Sequence, residues 1–420
     1  MASRNTGRSG LRLLYAVEAA NALSAILLIT GLAFYTTHRF GWGALENFAL
    51  TASQGVLYMI GALQAQRISR RWGRKKSLAV LYACMTVFAS GVGACATMHW
   101  AFAMALLAAL ENSFVGASWP MLQSLISEAG DPSRLSKRLG FYNIVWSAVG
   151  AVSIAASGAV IQYAPAWAFF GIIVAGHIVA GLLISIRAQS TIGGFEPALQ
   201  AQTGSTGNRT ASFQLDDAVI RRNRLALLLA RIALPSTYII GYTISPALPT
   251  LHAIKQLTPT IATLVGGIWL ISRAAAFLIT GATTFWHRRP GLLFLSSIIM
   301  VFGFAGTIVP GALIGFDLTR ALWIMGAAQF VLGLSIGTIY SASLYFGMAV
   351  SRGSTRHGGY HEALIGLGQV LGPLLGAGMQ WMYPGTLLPA AAYISGVVSI
   401  SVVIEAIVGI RGSGRIVAQR

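Results

Sequence analysis

The chain has 420 residues, of which 55 % are hydrophobic and 10 % charged, and a formal net charge of +18. Its mean hydropathy is +0.69. A soluble domain carries about 25 % charged residues, so the composition excludes an ordinary water-soluble globule and indicates a protein that crosses a membrane several times.

Twelve apolar segments follow one another, each long enough to cross a hydrocarbon core of about 30 Å. We predict transmembrane helices at 12–36, 46–66, 77–98, 100–127, 139–162, 166–186, 225–248, 258–282, 291–314, 321–349, 361–383 and 386–410. The first is too long for a cleavable signal peptide and has no small-residue cleavage pattern after it. The sequence therefore predicts an all-α membrane protein with twelve transmembrane helices.

The distribution of the 29 Lys and Arg predicts the orientation. With a cytoplasmic N-terminus, only Arg39, Lys255 and Arg320 fall outside, and Arg231 and Arg273 lie within helices. The other cations fall on the inner side, which is a strong positive-inside pattern. We therefore expect a plasma (inner) membrane protein with both termini in the cytoplasm. The positive charge is then topological, and we expect no nucleic-acid partner.

The densest group of cations lies after the second segment, where QRISRRWGRKKSL (66–78) holds six cations from Arg67 to Lys76. They fix this loop in the cytoplasm. Arg and Lys at such a position can also bind helix C-terminal carbonyls, acidic residues at helix ends or anionic lipid headgroups. A topology signal alone and an additional gating role are both open interpretations.

Ionisable residues at membrane depth cost about 2.5–3.5 kcal/mol on insertion scales, so they are functional candidates by default. Glu18 and Asn21 share one face of the first segment, Glu111 lies near mid-depth in the fourth, and Arg273 lies near mid-depth in the eighth. A hydrogen-bonded structural acid is the alternative for Glu111. Arg273 stays protonated and must face water, a carboxylate or the substrate. All four are candidates for substrate binding or proton coupling.

The seventh segment carries an aromatic stripe, in which Arg231, Pro235, Tyr238 and Tyr242 follow one another at spacings of a helical turn. Such a stripe indicates either helix packing or a binding surface. We take the two tyrosines as further candidates for substrate contact.

In the eleventh segment, Gly368, Gly372 and Gly376 form two overlapping Gly-x-x-x-Gly steps. Small residues at this spacing allow helices to approach closely in lipid. We predict a helix-packing role for these glycines and for Pro373, and we expect Gln369 to face the cavity.

A stretch rich in Ser, Thr, Gly and Gln, 187–224, predicts a flexible cytoplasmic linker. It divides the chain into an N-terminal six-helix bundle, 1–186, and a C-terminal one, 225–420. At an offset of 218 residues, RRWG (70–73) meets RRPG (288–291), and GAVIQ (158–162) meets GAGMQ (376–380). Both matches fall at equivalent topological positions, which predicts a duplication. Parallel repeats of this kind place a transporter's substrate near the bilayer midplane, between the halves.

These features, in this order, resemble the major facilitator superfamily of secondary transporters over the whole chain. The first basic loop is similar to that family's signature of Gly, an acid, Arg, any residue, Gly and Arg-Arg or Arg-Lys. Residues 119–150 and 353–378 resemble the family's helix 4–5 connection and the start of its helix 11. The resemblance implies two pseudo-symmetric six-helix bundles. It also implies gating by the loop residues Arg70, Arg71, Gly73, Arg74 and Lys75.

The chain departs from the family pattern at several positions. Arg70 replaces the acid that is thought to pair with neighbouring helix ends in the family, and Gln66 replaces the upstream glycine. Asn112 stands where many members carry an arginine in helix 4. Gly150 is followed by Ala151 rather than by the proline of many antiporters. These departures weaken a specific prediction of drug/proton antiport.

The resemblance implies secondary active transport of small organic solutes by alternating access, and it leaves proton coupling open. The alternatives are a transporter-like receptor or non-transporting scaffold and, further away, a polytopic membrane enzyme. No nucleophile–base arrangement, metal-ligand spacing or phosphate-binding loop stands out in the sequence. We therefore expect no enzyme activity, no cofactor and no metal. The expected partners are a small solute, membrane lipids and, if transport is coupled, protons, and we expect a monomer.

Overall fold

The computed structural model describes residues 2–129, 132–186, 217–289, 291–351 and 353–417. Across these ranges the chain is almost entirely helical. Most of the predicted linker, 187–216, lies outside the described residues. The remaining linker positions, 217–224, form the beginning of a helix in the C-terminal half.

The N-terminal half begins with one long helix interrupted by a π-helical turn. In this helix α1 (Ala2–Ile26) continues through Leu27–Gly31 into α2 (Leu32–Phe40). Short connections join the helices that follow, which are α3 (Ala44–Trp72), α4 (Arg74–Thr97), α5 (Ala101–Glu128), α6 (Leu135–Tyr163) and α7 (Ala166–Ile186).

The C-terminal half also consists mainly of long helices. Its helices are α8 (Asp217–Ala247), α9 (His252–Lys255), α10 (Pro259–Gly266), α11 (Ile268–Ala282), α12 (Gly291–Ala312), α13 (Leu318–Ser351), α14 (Thr355–Met382) and α15 (Leu388–Val417). The predicted segment 258–282 is divided at Gly267 into α10 and α11.

Within the described ranges, eleven helical stretches are long and apolar enough to span a membrane, and they coincide with eleven of the twelve predicted segments. The remaining segment, 46–66, falls in α3, which has 29 residues but a more polar composition. Asn47, Thr51 and Gln54 are buried there. Two of these polar side chains find partners in the first helix: Thr36 Oγ1 of α2 donates a hydrogen bond of 2.6 Å to Asn47 Oδ1, and Gln54 Nε2 donates one of 3.3 Å to the Leu28 carbonyl oxygen.

The two halves meet along two seams. In the first, α3 lies along α14, and a Cβ on Gly55 would come within 2.7 Å of the Gln369 carbonyl carbon. In the second, α6 lies along α10 and α11, and a Cβ on Gly140 would lie 2.4 Å from the Cα of Gly281. Only glycine allows such close backbone contact. The halves are therefore tightly joined on two sides of the space between them.

Candidate functional site

A cavity of about 50 Å³ lies between the two halves, and residues of both halves line it. In the described part of the chain, five tyrosines and three tryptophans line it, with one guanidinium group and one carboxyl group. The π-helical turn contributes Ile29 and Thr30 to its wall. Such turns occur frequently at functional sites. A few polar groups in a largely aromatic cavity are typical of a small-molecule site.

The guanidinium group belongs to Arg273 of α11, which is 4 % exposed. Its Nε donates a hydrogen bond to Ser147 Oγ of α6 at 3.2 Å. Its carbon Cζ lies 4.3 Å from the ring centroid of Trp146 and 4.9 Å from that of Trp269. No carboxylate among the described residues forms an ion pair with it. The cation is thus stabilised by two aromatic faces and has no acidic partner there.

The carboxyl group belongs to Glu362 of α14, which is 2 % exposed. One of its oxygens accepts a hydrogen bond from the hydroxyl of Tyr58 in α3, and the other accepts one from Nε2 of Gln123 in α5. Both partners lie in the opposite half of the molecule. Glu362 therefore joins the halves at the cavity wall.

Glu362 is not among the site residues predicted from the sequence, because the predicted segment begins at residue 361 and places this acid at the membrane surface. In the structure α14 begins at Thr355, so Glu362 lies two helical turns inside the helix. A usable signal was present, since Glu362 is the only acid in 361–383.

Of the sequence candidates, Arg273, Tyr238 and Tyr242 line the cavity. The two tyrosine rings lie 5.6 Å apart, and Tyr238 also lies 6.3 Å from the ring of Tyr340. The aromatic stripe of α8 therefore faces the cavity.

Glu18 lies one layer behind the cavity. Its Oε1 accepts a hydrogen bond of 3.0 Å from Nε1 of Trp119, which lines the cavity. Asn21, one helical turn away, is also fully buried. Glu18 therefore contacts the cavity wall through Trp119.

Glu111 lies within the N-terminal half, where its Oε1 shares a hydrogen bond of 2.8 Å with His177 Nε2. Both side chains are fully buried, and the pair joins α5 to α7. The structure thus places Glu111 apart from Arg273 and Glu362, and a coupling role for Glu111 stays a prediction.

The glycines of α14 lie at close contacts with neighbouring helices. A Cβ on Gly368 would come within 2.7 Å of the Pro235 carbonyl oxygen, and one on Gly372 within 2.3 Å of the Ile239 carbonyl oxygen. Gly376 meets the ring of Phe48 in the same way. This stripe, which includes the adjacent Pro373, packs α14 against α8 and α3.

Gln369 points into the seam between the halves. It is fully buried and packs against Gly55. Its amide atoms have no hydrogen-bond partner among the residues that the structure describes. The structure therefore places this side chain at the α3–α14 contact.

The basic loop holds three helix ends together. Gly73 has a φ of 75° and separates α3 from α4. Arg74 Nη1 lies 2.7 Å from Glu128 Oε2 at the end of α5 and donates a hydrogen bond of 2.9 Å to Ser124 Oγ. Gly353, which precedes α14 in the other half, packs against Glu128. Arg70 and Arg71 are exposed and Lys75 is half-buried.

The comparisons with known proteins agree with this architecture. The family model described as Major Facilitator Superfamily matches residues 14–359. No curated protein sequence matches the chain.

Among solved structures, the fold is similar to that of the nucleoside transporter NupG, with a TM-score of 0.60 and 13 % identity over 95 % of this chain and 98 % of that one. It is also similar to the human organic anion transporter MFSD10 (TETRAN), with a TM-score of 0.57 and 13 % identity over 95 % and 99 % of the two chains. Because the family match covers well over half of the sequence, this integral multi-pass membrane protein belongs to the major facilitator superfamily of transporters.

Proposed function

We propose that this protein is a secondary active transporter of small organic solutes, which binds its substrate in the central cavity and moves it by alternating access. We further propose that transport is coupled to protons through Glu362. The observation that carries the proposal is the position of Glu362, whose two oxygens are hydrogen-bonded to Tyr58 and Gln123 of the opposite half.

The chemistry of this contact supports a proton switch. Hydrogen bonds to an ionised carboxylate are roughly twice as strong as those between neutral groups. Uptake of a proton by Glu362 would therefore weaken its bonds to Tyr58 and Gln123 and loosen the contact between the halves. A proton can bias an alternating-access equilibrium only through such a difference between two states.

The orientation belongs to the same proposal. The end of the molecule that carries Gly73, Arg74 and Glu128 is also the end with most of the Lys and Arg. The positive-inside rule supports a cytoplasmic location for this end and for both termini. The protein would then lie in an inner or plasma membrane. The ion pair between Arg74 and Glu128 would then brace the cytoplasmic ends of α4 and α5.

The proposal is tested with purified protein in liposomes, by measuring uptake and efflux of a metabolite panel under an imposed proton gradient. We expect accumulation of at least one solute that a protonophore abolishes and that liposomes without the protein do not show. Folded, correctly inserted protein that moves no solute in either direction would instead support a receptor or scaffold with this fold.

A further inference from the structure

We infer that the substrate is an organic anion with a planar carboxylate and an aromatic body, and that Arg273 binds the carboxylate. This inference rests on the proposed function and adds the class of substrate to it. It follows from the residues around Arg273 and from the guanidinium N–H groups that these residues leave without an acceptor.

Arg273 places a buried positive charge in the cavity wall. The Arg273 guanidinium stays protonated in proteins and is almost completely buried here. A buried charge is normally paired or bound to a ligand, because desolvation is costly. The cavity's own carboxyl group, Glu362, is engaged by Tyr58 and Gln123 rather than by Arg273. The cavity therefore presents a cation whose partner is still to be supplied.

The residues around Arg273 also hold its guanidinium group in one orientation. The hydrogen bond from Nε to Ser147 and the rings of Trp146 and Trp269 fix the plane of the guanidinium group. Its two terminal nitrogens have no hydrogen-bond partner among the described residues. Two parallel N–H donors on a fixed plane match the two oxygens of a carboxylate, so the orientation is prepared for a planar anion.

The rest of the cavity wall is largely aromatic. Trp146 lies 5.3 Å from the ring of Tyr340, and Tyr238 and Tyr242 continue the aromatic surface. Flat apolar walls of this kind favour a flat apolar ligand body, through ring contacts worth more than burial alone. The carboxylate at Arg273 and the aromatic wall beside it together define an aromatic carboxylate.

The cavity in this structure is too small for an aromatic carboxylate. Its volume of about 50 Å³ is well below the ~150 Å³ of a cavity that holds benzene. An aromatic carboxylate therefore enters only when the halves separate, as alternating access requires.

Binding is measured on the full-length protein in detergent, so that the result does not depend on transport. The probes are benzoate and cinnamate, each compared with its uncharged carboxamide, and benzenesulfonate as a non-planar anion. The readouts are the thermal unfolding midpoint and the intrinsic fluorescence, which Trp146 and Trp269 should report. We expect the carboxylates to raise the midpoint and change the fluorescence, and the amides to bind about tenfold or more weakly.

Three variants sharpen the test. Arg273→Gln should remove the preference for carboxylate over carboxamide, whereas Arg231→Gln, which changes another helix-borne arginine outside the cavity wall, should keep it. If Arg273→Gln unfolds, Trp269→Phe keeps an aromatic ring and should weaken carboxylate binding more than amide binding. Equal binding of acid and amide by the wild-type protein, or unchanged carboxylate binding by Arg273→Gln, would overturn the inference.

The inference and the proposed function can fail separately. If neither carboxylate binds but the liposome assay shows gradient-driven flux of another solute, the substrate class is wrong and the transporter proposal stands. If the carboxylates bind and no solute is moved, the site is real and the protein is a receptor rather than a transporter.

Discussion

Replacement of Glu362 by Gln tests the proton switch directly. Gln has nearly the shape of the protonated acid, so it can still accept a hydrogen bond from Gln123 and donate one to Tyr58, but it carries no charge. Hydrogen bonds to charged groups contribute about 1.5–3 kcal/mol and neutral ones about 0.5–1.5 kcal/mol. Each of the two bonds to the opposite half should therefore lose about 1–1.5 kcal/mol relative to the ionised acid.

The loss over both bonds is about 2–3 kcal/mol, and a difference of about 1.4 kcal/mol is a factor of ten in an equilibrium constant. The state in which Glu362 joins the two halves should thus become about thirty- to 140-fold less favoured relative to the ionised wild-type protein, at every pH. Glu362→Gln should then lose gradient-driven accumulation and keep substrate exchange at equilibrium, because exchange needs binding and movement of the halves but no net proton transfer.

Both reactions are measured in the same liposomes, with and without a pH gradient. Glu111→Gln is the matched variant, since Glu111 is also a buried acid but is bonded to His177 within one half. If Glu111 couples transport to protons, as the sequence suggests, Glu111→Gln should lose accumulation. If Glu362 is the coupling residue, as proposed here, Glu362→Gln should lose it instead. If Glu362→Gln accumulates substrate with the wild-type pH dependence, the proton switch at Glu362 is wrong.

Three other changes test other parts of the molecule. Gly73→Val forces a β-branched residue into a φ of 75°, at a cost of about 1–3 kcal/mol, and should lower the transport rate at unchanged membrane abundance; a normal rate would leave the loop as a topology signal only. Reporters fused after Gly43 should appear outside and those after Arg356 in the cytoplasm, and a cytoplasmic signal at Gly43 would contradict the proposed orientation. Burial and the nearby cation Arg222 lower the pKa of His287 to about 4, whereas the value in the unfolded chain is about 6.5. The contribution of the neutral imidazole to folding stability is therefore fully present above about pH 6.5 and is lost as the pH falls toward 4. His287→Phe should therefore reduce the fall in unfolding temperature between pH 6.5 and 4, and an unchanged fall would show that His287 is not responsible.

The helical architecture could be predicted from the sequence because lipid leaves a long apolar segment few alternatives to a helix. Segment boundaries were harder to predict, because polar residues occur both in the end turns of a helix and in a loop. The start of α14 at Thr355 instead of near residue 361 is the example that matters for function. It moved Glu362 from the surface to the cavity.

The site could be predicted only in part. Arg273 was selected because a guanidinium group at membrane depth has to face a polar partner, and this reasoning needs no knowledge of the fold. Glu111 was selected by depth alone. A single sequence does not show which neighbouring helix Glu111 contacts. Its hydrogen bond with His177 of α7 could therefore not be predicted.

The π-helical turn at Leu27–Gly31 gives the first helix a built-in choice of register. A π turn holds one residue more than the α turn that it replaces, and each residue of an α-helix turns the chain by about 100°. Converting this turn to α-helical hydrogen bonding would therefore rotate α2 against α1 by about that angle. The same rotation would carry Ile29 and Thr30 out of the cavity wall. A change of hydrogen-bond partner over five residues would thus change which side chains form one wall of the binding site.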